Sequence, residues 1–156
     1  MLKKYFVKFL CALLLLSLAS NSYAQAKKMR GLKDEVKSRF LMGVALTDAQ
    51  VANRFPEKTE IIKRHFNSIV AENTMKSGFL QPREGEFNFE AADAFVEFGL
   101  KNKMFIIGHT LIWHSQLPDW FCVDSDGKNV SADVLKKRMK AHIQTVVGRY
   151  KGKVKG

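Results

Sequence analysis

Glu72 and Asn73 stand side by side with Lys76 just beyond, and a later polar and aromatic stretch holds His109, Trp113, His114 and Gln116. A carboxylate accepts hydrogen bonds, an amide accepts and donates, and an ammonium donates, so the first trio suits the paired hydroxyls of a sugar. The indoles of Trp113 and Trp120 offer flat apolar faces on which pyranose rings can rest. The same residues could equally form a surface ion pair between Glu72 and Lys76, with both tryptophans in the core. Other chemistries find less support. His109 and His114 are five apart with no HExxH pattern or cysteine ligand nearby, so a histidine donating to a hydroxyl is expected rather than a metal site. No G-x-S-x-G is present, and Ser115 neighbours His114 in sequence only, which argues against a serine hydrolase. His65 and His142 fall on helical apolar stripes and read as packing residues.

These groups need elements to aim them, and the chain supplies strand and helix in alternation. Residues 41–47 are short and apolar, as expected of a strand buried on both faces. Pro56 then suits a first helical turn, with Glu57 and Glu60 near its positive end and Ile61, Ile62, His65, Phe66 and Ile69 at helical spacing. Residues 68–71 are a second apolar run that stops at Glu72. After the turn residues Pro82 and Gly85, segment 89–102 carries Ala92, Phe95, Phe98 and Gly99 along one helical face. A third strand is expected at 104–108. Ser131 can cap a long helix whose stripe is Leu135, Met139, Ile143, Val146 or Val147, and Tyr150. Three strand-then-helix units indicate an α/β protein with a parallel sheet, either doubly wound or closed into an eight-fold barrel. No phosphate-cradling glycine pattern follows any strand, which weakens the open-sheet alternative. In either fold the C-terminal strand ends build the site, and that is where Glu72, Asn73, His109, Trp113 and Gln116 fall.

The chain has 156 residues, 26 of them Lys or Arg against 15 Asp or Glu, for a formal charge of +11. Lys136, Lys137, Arg138, Lys140, Arg149, Lys151, Lys153 and Lys155 cluster without an intervening acid. The helix stripe interrupts them, so they are expected to form a solvated outer face and no nucleic-acid partner is expected. Lys3, Lys4 and Lys8 precede the apolar run 9–18, and small residues lie around Ala24, which reads as a signal peptide cleaved after Ala24. The run is half the length that a bilayer span requires. Residues 1–24 are therefore expected to be a leader, 25–39 a polar lead, and the product secreted or periplasmic, with no membrane partner after cleavage. Cleavage would remove Cys11 and leave Cys122 alone; following Trp120 and Phe121, it is expected to be buried.

Four segments in order resemble a known family: GVA at 43–45, HFNSIVAENTMK at 65–76, QPREGEFNF at 81–89 and GHTLIWHSQLPDW at 108–120. They are similar to those of glycoside hydrolase family 10, the endo-1,4-β-xylanases, over residues 40–156. The resemblance implies a (β/α)8 TIM barrel that cleaves xylan with retention of configuration, using two glutamates and neither cofactor nor metal. It also implies that Glu72, Asn73 and Lys76 bind sugar hydroxyls on the non-reducing side of the cut. His109 would hydrogen-bond the sugar at the cleavage point, with Trp113 and Gln116 lining the same subsites of a xylan or xylo-oligosaccharide partner. Val70 and Ser77 stand where the family often has Thr and Trp.

Such a barrel takes about 250 residues. Residues 40–156 would hold the first three β/α units and, at 153–156, the start of strand 4. The family's acid/base glutamate comes at the end of that strand and its nucleophile on the seventh, so no carboxylate here matches either. Retaining hydrolysis needs both. A truncated, inactive xylanase chain is the expectation, and a non-catalytic xylan-binding protein the alternative.

Overall fold

The computed structural model describes residues 29–156; the leader expected at 1–24 lies outside them. Three strands form a parallel sheet in the order β1 (Gly43–Leu46), β2 (Ser68–Ala71) and β3 (Phe105–Ile107). In register, Val44, Ile69 and Ile106 lie abreast, with Gly43, Ser68 and Phe105 one row before them. Residues 155 and 156 lie alongside β3. Lys155 N–H donates to the Ile106 carbonyl at 2.9 Å, and Gly108 N–H to the Gly156 carbonyl at 2.7 Å. The fourth strand expected at 153–156 is not formed as such, since 151–153 are a turn and the sheet has three strands, but these bonds hold its last two residues beside β3.

Six helices accompany the sheet among the described residues: α1 (Leu32–Val36), α2 (Asp48–Val51), α3 (Pro56–His65), α4 (Ser77–Leu80), α5 (Glu90–Lys101) and α6 (Ala132–Tyr150). The three long ones, α3, α5 and α6, follow β1, β2 and β3 respectively. Pro56 opens α3, whose last turn carries Lys63, Arg64 and His65 against the negative helix end. Lys33 Nζ reaches over from α1 to the Lys63 carbonyl at 2.6 Å. Ser131 caps α6 by accepting from the Val134 N–H at 3.4 Å.

The core lies on one side of the sheet. Leu46, Ile69, Ala71 and Ile106 project into a single cluster with Ile62 of α3, Ala92, Phe95 and Val96 of α5, and Val146 and Tyr150 of α6. On the opposite face Gly43, Ala45, Phe105 and Ile107 are exposed. The first strand is thus not buried on both faces as its composition suggests. Its alternate residues face the inside of the curve, where the described residues lay nothing over them.

Helix faces follow the 3.6-residue period with small shifts from the expected stripes. Ile62 and Thr59 are the buried residues of α3, whereas Ile61 is 49% exposed and Ile69 already belongs to β2. On α5 Val96 is buried and Phe98 half-buried. Gly99 lets α5 lie close on the sheet: a Cβ there would stand 2.6 Å from the Ile106 side chain and 2.9 Å from that of Ile69. On α6 the inward choice is Val146, and Val147 is 50% exposed. His142 is fully buried on the same stripe, a packing residue as expected. His65 is half-buried, with its Nδ1 accepting from the Leu32 N–H at 3.2 Å.

Two expectations need correction. Cys122 is exposed, not buried. It closes the 3-10 turn Asp119–Phe121, donating its N–H to the Asp119 carbonyl, while Phe121 takes the buried side. Nor are all the basic residues of α6 solvated. Arg138 is only 15% exposed and pairs with Glu84 at 2.7 Å, whereas Arg149 is exposed as expected while pairing with Asp93 of α5. No helix among the described residues is long and apolar enough to cross a membrane.

Candidate functional site

The site residues sit where the strands end. Glu72 follows β2 directly, its N–H donating to the Leu46 carbonyl at the end of β1, and its side chain is exposed. Asn73 and Lys76 lie in the turn between β2 and α4, with Lys76 at the N-cap of α4. His109 comes two residues after β3, exposed, and Trp113 and Gln116 lie further along the loop from β3 to the 3-10 turn.

The second and third loops meet in a polar knot. Lys76 Nζ donates to Asn73 Oδ1 at 3.0 Å and to Gln116 Oε1 at 2.6 Å. Gln116 Nε2 closes the triangle by donating to Asn73 Oδ1 at 3.4 Å. The ammonium also stands 5.3 Å from the centre of the Trp113 ring, within cation–π range. Trp113 in turn lies 6.0 Å from the His109 ring and 5.4 Å, edge-on, from His114. Five of the six expected residues are therefore linked, and Glu72, next to Asn73 in the chain and exposed, takes no part in these contacts. The surface ion pair between Glu72 and Lys76 is not what forms, because the ammonium bonds Asn73 and Gln116 instead.

Backbone conformation supports the meeting. Gln116 has φ +58°, in the left-handed region that non-glycine residues seldom occupy. Its carbonyl approaches Gly78 of α4 so closely that a Cβ on residue 78 would lie 2.7 Å from it. Ser77, beside it, is buried at the start of α4.

The two tryptophans differ. Trp113 is 36% exposed and keeps a ring face beside the knot. Trp120 is half-buried, stacked on Phe121 with ring centres 3.8 Å apart, and its Nε1–H donates to the Gln81 carbonyl at 3.1 Å. It serves packing rather than the open rim.

Beneath the rim lies an anchor that residue types alone did not reveal. Arg138 donates to the Trp120 carbonyl and, at 3.0 Å, to the Val123 carbonyl, while His142 Nδ1 donates to Gln81 Oε1 at 2.8 Å. Residues 138 and 142 are one helical turn apart and share a face of α6. That spacing was the available signal; the loops they reach could not be read from it. Among the described residues no group of three His, Cys, Asp or Glu side chains is arranged to hold a metal ion.

The lone ammonium has three N–H groups, two of them used within the knot, and Gln116 Nε2 has a second N–H beyond the one it gives Asn73. Donors and an indole face thus converge on one rim.

A sequentially ordered parallel sheet with helices on one face and polar residues gathered at the C-terminal strand ends defines the β/α-barrel class of α/β proteins. Residues 31–156 match Glycosyl hydrolase family 10, and the chain belongs to that family. It is similar to endo-1,4-β-xylanase A of Xylanibacter ruminicola, 42% identical over 149 residues that make up 96% of this chain and 39% of that protein. Among solved structures it superposes on a psychrophilic glycoside hydrolase family 10 endo-β-1,4-xylanase, TM-score 0.77 and 43% identity, covering 81% of this chain and 38% of that one. A mutant solved in complex with xylotriose aligns with TM-score 0.74 at 36% identity, over 81% of this chain and 37% of that one. The chain thus spans about two fifths of the length of these relatives. The described residues are the opening units of the family's TIM barrel.

Proposed function

We propose that this chain is the N-terminal part of a secreted endo-1,4-β-xylanase and carries the rim that holds xylan on the non-reducing side of the cut. The knot of Lys76, Asn73 and Gln116 beside the open face of Trp113 is the observation that carries this reading. Xylose is neutral and presents vicinal hydroxyls, so fixed donors beside a flat apolar face recognise it without an opposing charge. Glu72 accepts from the same hydroxyls, and His109, next to Trp113, lies toward the bond to be cut.

Neither catalytic glutamate is among residues 1–156 in this reading. The family's acid/base group belongs at the end of the strand that opens at Lys155, and its nucleophile belongs three strands later. The chain by itself binds and does not cleave. Secretion is likewise part of the proposal, resting on the lysines and apolar run of residues 1–24.

The test is to titrate the full chain with xylotriose while following tryptophan emission, and in parallel to assay release of reducing ends from xylan. Saturable binding that Trp113→Ala abolishes, with no reducing ends released, is expected. Turnover by the purified chain would show that the catalytic pair has been misplaced, and absence of binding would remove the sugar rim.

A further inference from the structure

The anchor beneath the rim has its own logic. Helix α4 is a single turn with Lys76 at its N-cap and Gln81 at its C-cap, where the Gln81 N–H donates to the Ser77 carbonyl at 2.8 Å. Whatever fixes Gln81 therefore fixes Lys76 through one rigid turn. The Gln81 side chain is held by His142, and its carbonyl by Trp120, four residues beyond Gln116. Arg138 holds the carbonyls of Trp120 and Val123 from the next turn of α6 and reaches Glu84 as well. Both loops of the rim are thus moored to adjacent turns of one helix.

We propose that the buried Gln81–His142 pair is a positioning device, setting the loop after β2 against the loop after β3 so that Lys76 meets Gln116 and Trp113. Its effect on sugar rests on the reading above; its effect on loop placement does not. Neither residue touches the rim, and each acts through the turn it ends or the helix it belongs to.

The pair has a defined state. Gln81 Oε1 can only accept, so His142 Nδ1 supplies the proton of their bond, and the other ring nitrogen, Nε2, is fully buried without a hydrogen-bond partner. The groups set against the ring are Gln81, the Phe87 and Phe121 rings and the Leu111 backbone, none of which titrates. Burial accordingly pushes the pKa of His142 below its ordinary value of 6.5, and the Leu111 backbone offsets part of this. A detached His142 regains the ordinary value and binds more protons at mildly acid pH. Anchoring is therefore complete above pH 6.5 and weakens as pH falls through the window between that value and the lowered one.

The test labels the full chain with 5-fluorotryptophan, which gives one fluorine resonance for each of the two tryptophans, assigned with Trp120→Phe. Lys76→Met defines the position of the Trp113 resonance when the ammonium is gone. Gln81→Leu removes the acceptor at similar volume and is expected to move the Trp113 resonance at least halfway to that position, whatever it does to the melting temperature. Gln81→Glu keeps an acceptor for His142 and is expected to leave the resonance in place. Identical behaviour of the two variants would overturn the proposal. Should Gln81→Leu fail to fold, acidification from pH 7.5 to 5 decides. Wild type is then expected to drift toward the Lys76→Met position further than Gln81→Glu, in which the carboxylate stabilises a charged His142. His109 and His114 lie beside Trp113 in both proteins, so only the difference counts, and its absence is fatal. Xylotriose is added last. No response to it in a protein that passes these tests would strike the sugar reading alone.

Discussion

Lys76 is the residue on which the rim converges. Its ammonium is shared between two neutral carbonyl oxygens, Asn73 Oδ1 and Gln116 Oε1, and sits over an indole. None of these partners neutralises it, so the full positive charge stays available to a sugar oxygen. Lys76→Met keeps the length and apolar stem while removing the donor. A charged hydrogen bond contributes about 1.5–3 kcal/mol, which corresponds to a loss of roughly tenfold to a hundredfold in affinity. Xylotriose titration of the variant checks this, and an unchanged dissociation constant would mean that Lys76 only props the loops. Lys76→Arg is expected to do little better, because a planar fork cannot replace a compact point charge between two fixed acceptors. The residue types of the rim were legible in sequence: Glu72, Asn73, Lys76, His109, Trp113 and Gln116 all lie at strand ends. Their bonding was not. Composition alone cannot tell an ammonium that faces Glu72 from one that crosses to residue 116, because the crossing depends on a left-handed residue packed against Gly78.

At the scale of elements, sequence patterning served where a local rule governs. Apolar run and strand coincide at Ser68–Ala71, and proline and serine signals placed the starts of α3 and α6. It failed where tertiary contact decides. The one-turn helices α2 and α4 have no room for a periodic signal, and the exposure of Cys122 depends on Phe121 taking the inner side of a tight turn. Arg138 belongs to a basic run in sequence, yet in space it is a clamp between α6 and two loops. One close element contact is at Gly99, where α5 lies against Ile106 and Ile69 with no room for a methyl group. Gly99→Ala gains helix propensity, by about 1 kcal/mol. The overpacking it forces costs about 1–3 kcal/mol, since a close-packed core must shift to admit the methyl. Steric cost is expected to win, because two Ile106 carbons would lie 2.6 Å away and an Ile69 carbon 2.9 Å away at once. A lower urea midpoint for Gly99→Ala is the outcome expected. A higher one would show that the two isoleucines rotate aside freely and that helix propensity sets the balance.

For the whole molecule the decisive feature is a sheet clothed on one side only. Helices α3, α5 and α6 bury Leu46, Ile69, Ala71 and Ile106, while Phe105 and Ile107 on the other face are each 37% exposed beside Gly43 and Ala45. An open cleft of about 400 Å³ near residues 153–156 belongs instead to the helix side, where Met75, Leu111, Val146, Tyr150 and Val154 line it. In a closed eight-strand barrel the inward residues of all strands fill the interior together. Here the described residues contribute three strands and the first bonds of a fourth, so each inward side chain lacks its partners across the axis. Among the described residues nothing pairs with the outer edge of β1, which adds unpaired backbone groups beside this apolar face. Burying that surface against another copy removes apolar area from water at about 25 cal/mol per Å². Residues 1–156 produced alone are accordingly expected to associate reversibly, with sedimentation showing species larger than the monomer as concentration rises. Substituting Phe105 and Ile107 together by Lys should suppress association while leaving the outward core, to which neither contributes, intact. A chain that stays monomeric up to about 100 μM would be informative in the opposite sense. At that concentration association worth more than roughly 5.5 kcal/mol would be visible, so its absence would mean that the exposed face is too narrow or too curved for a second copy to dehydrate.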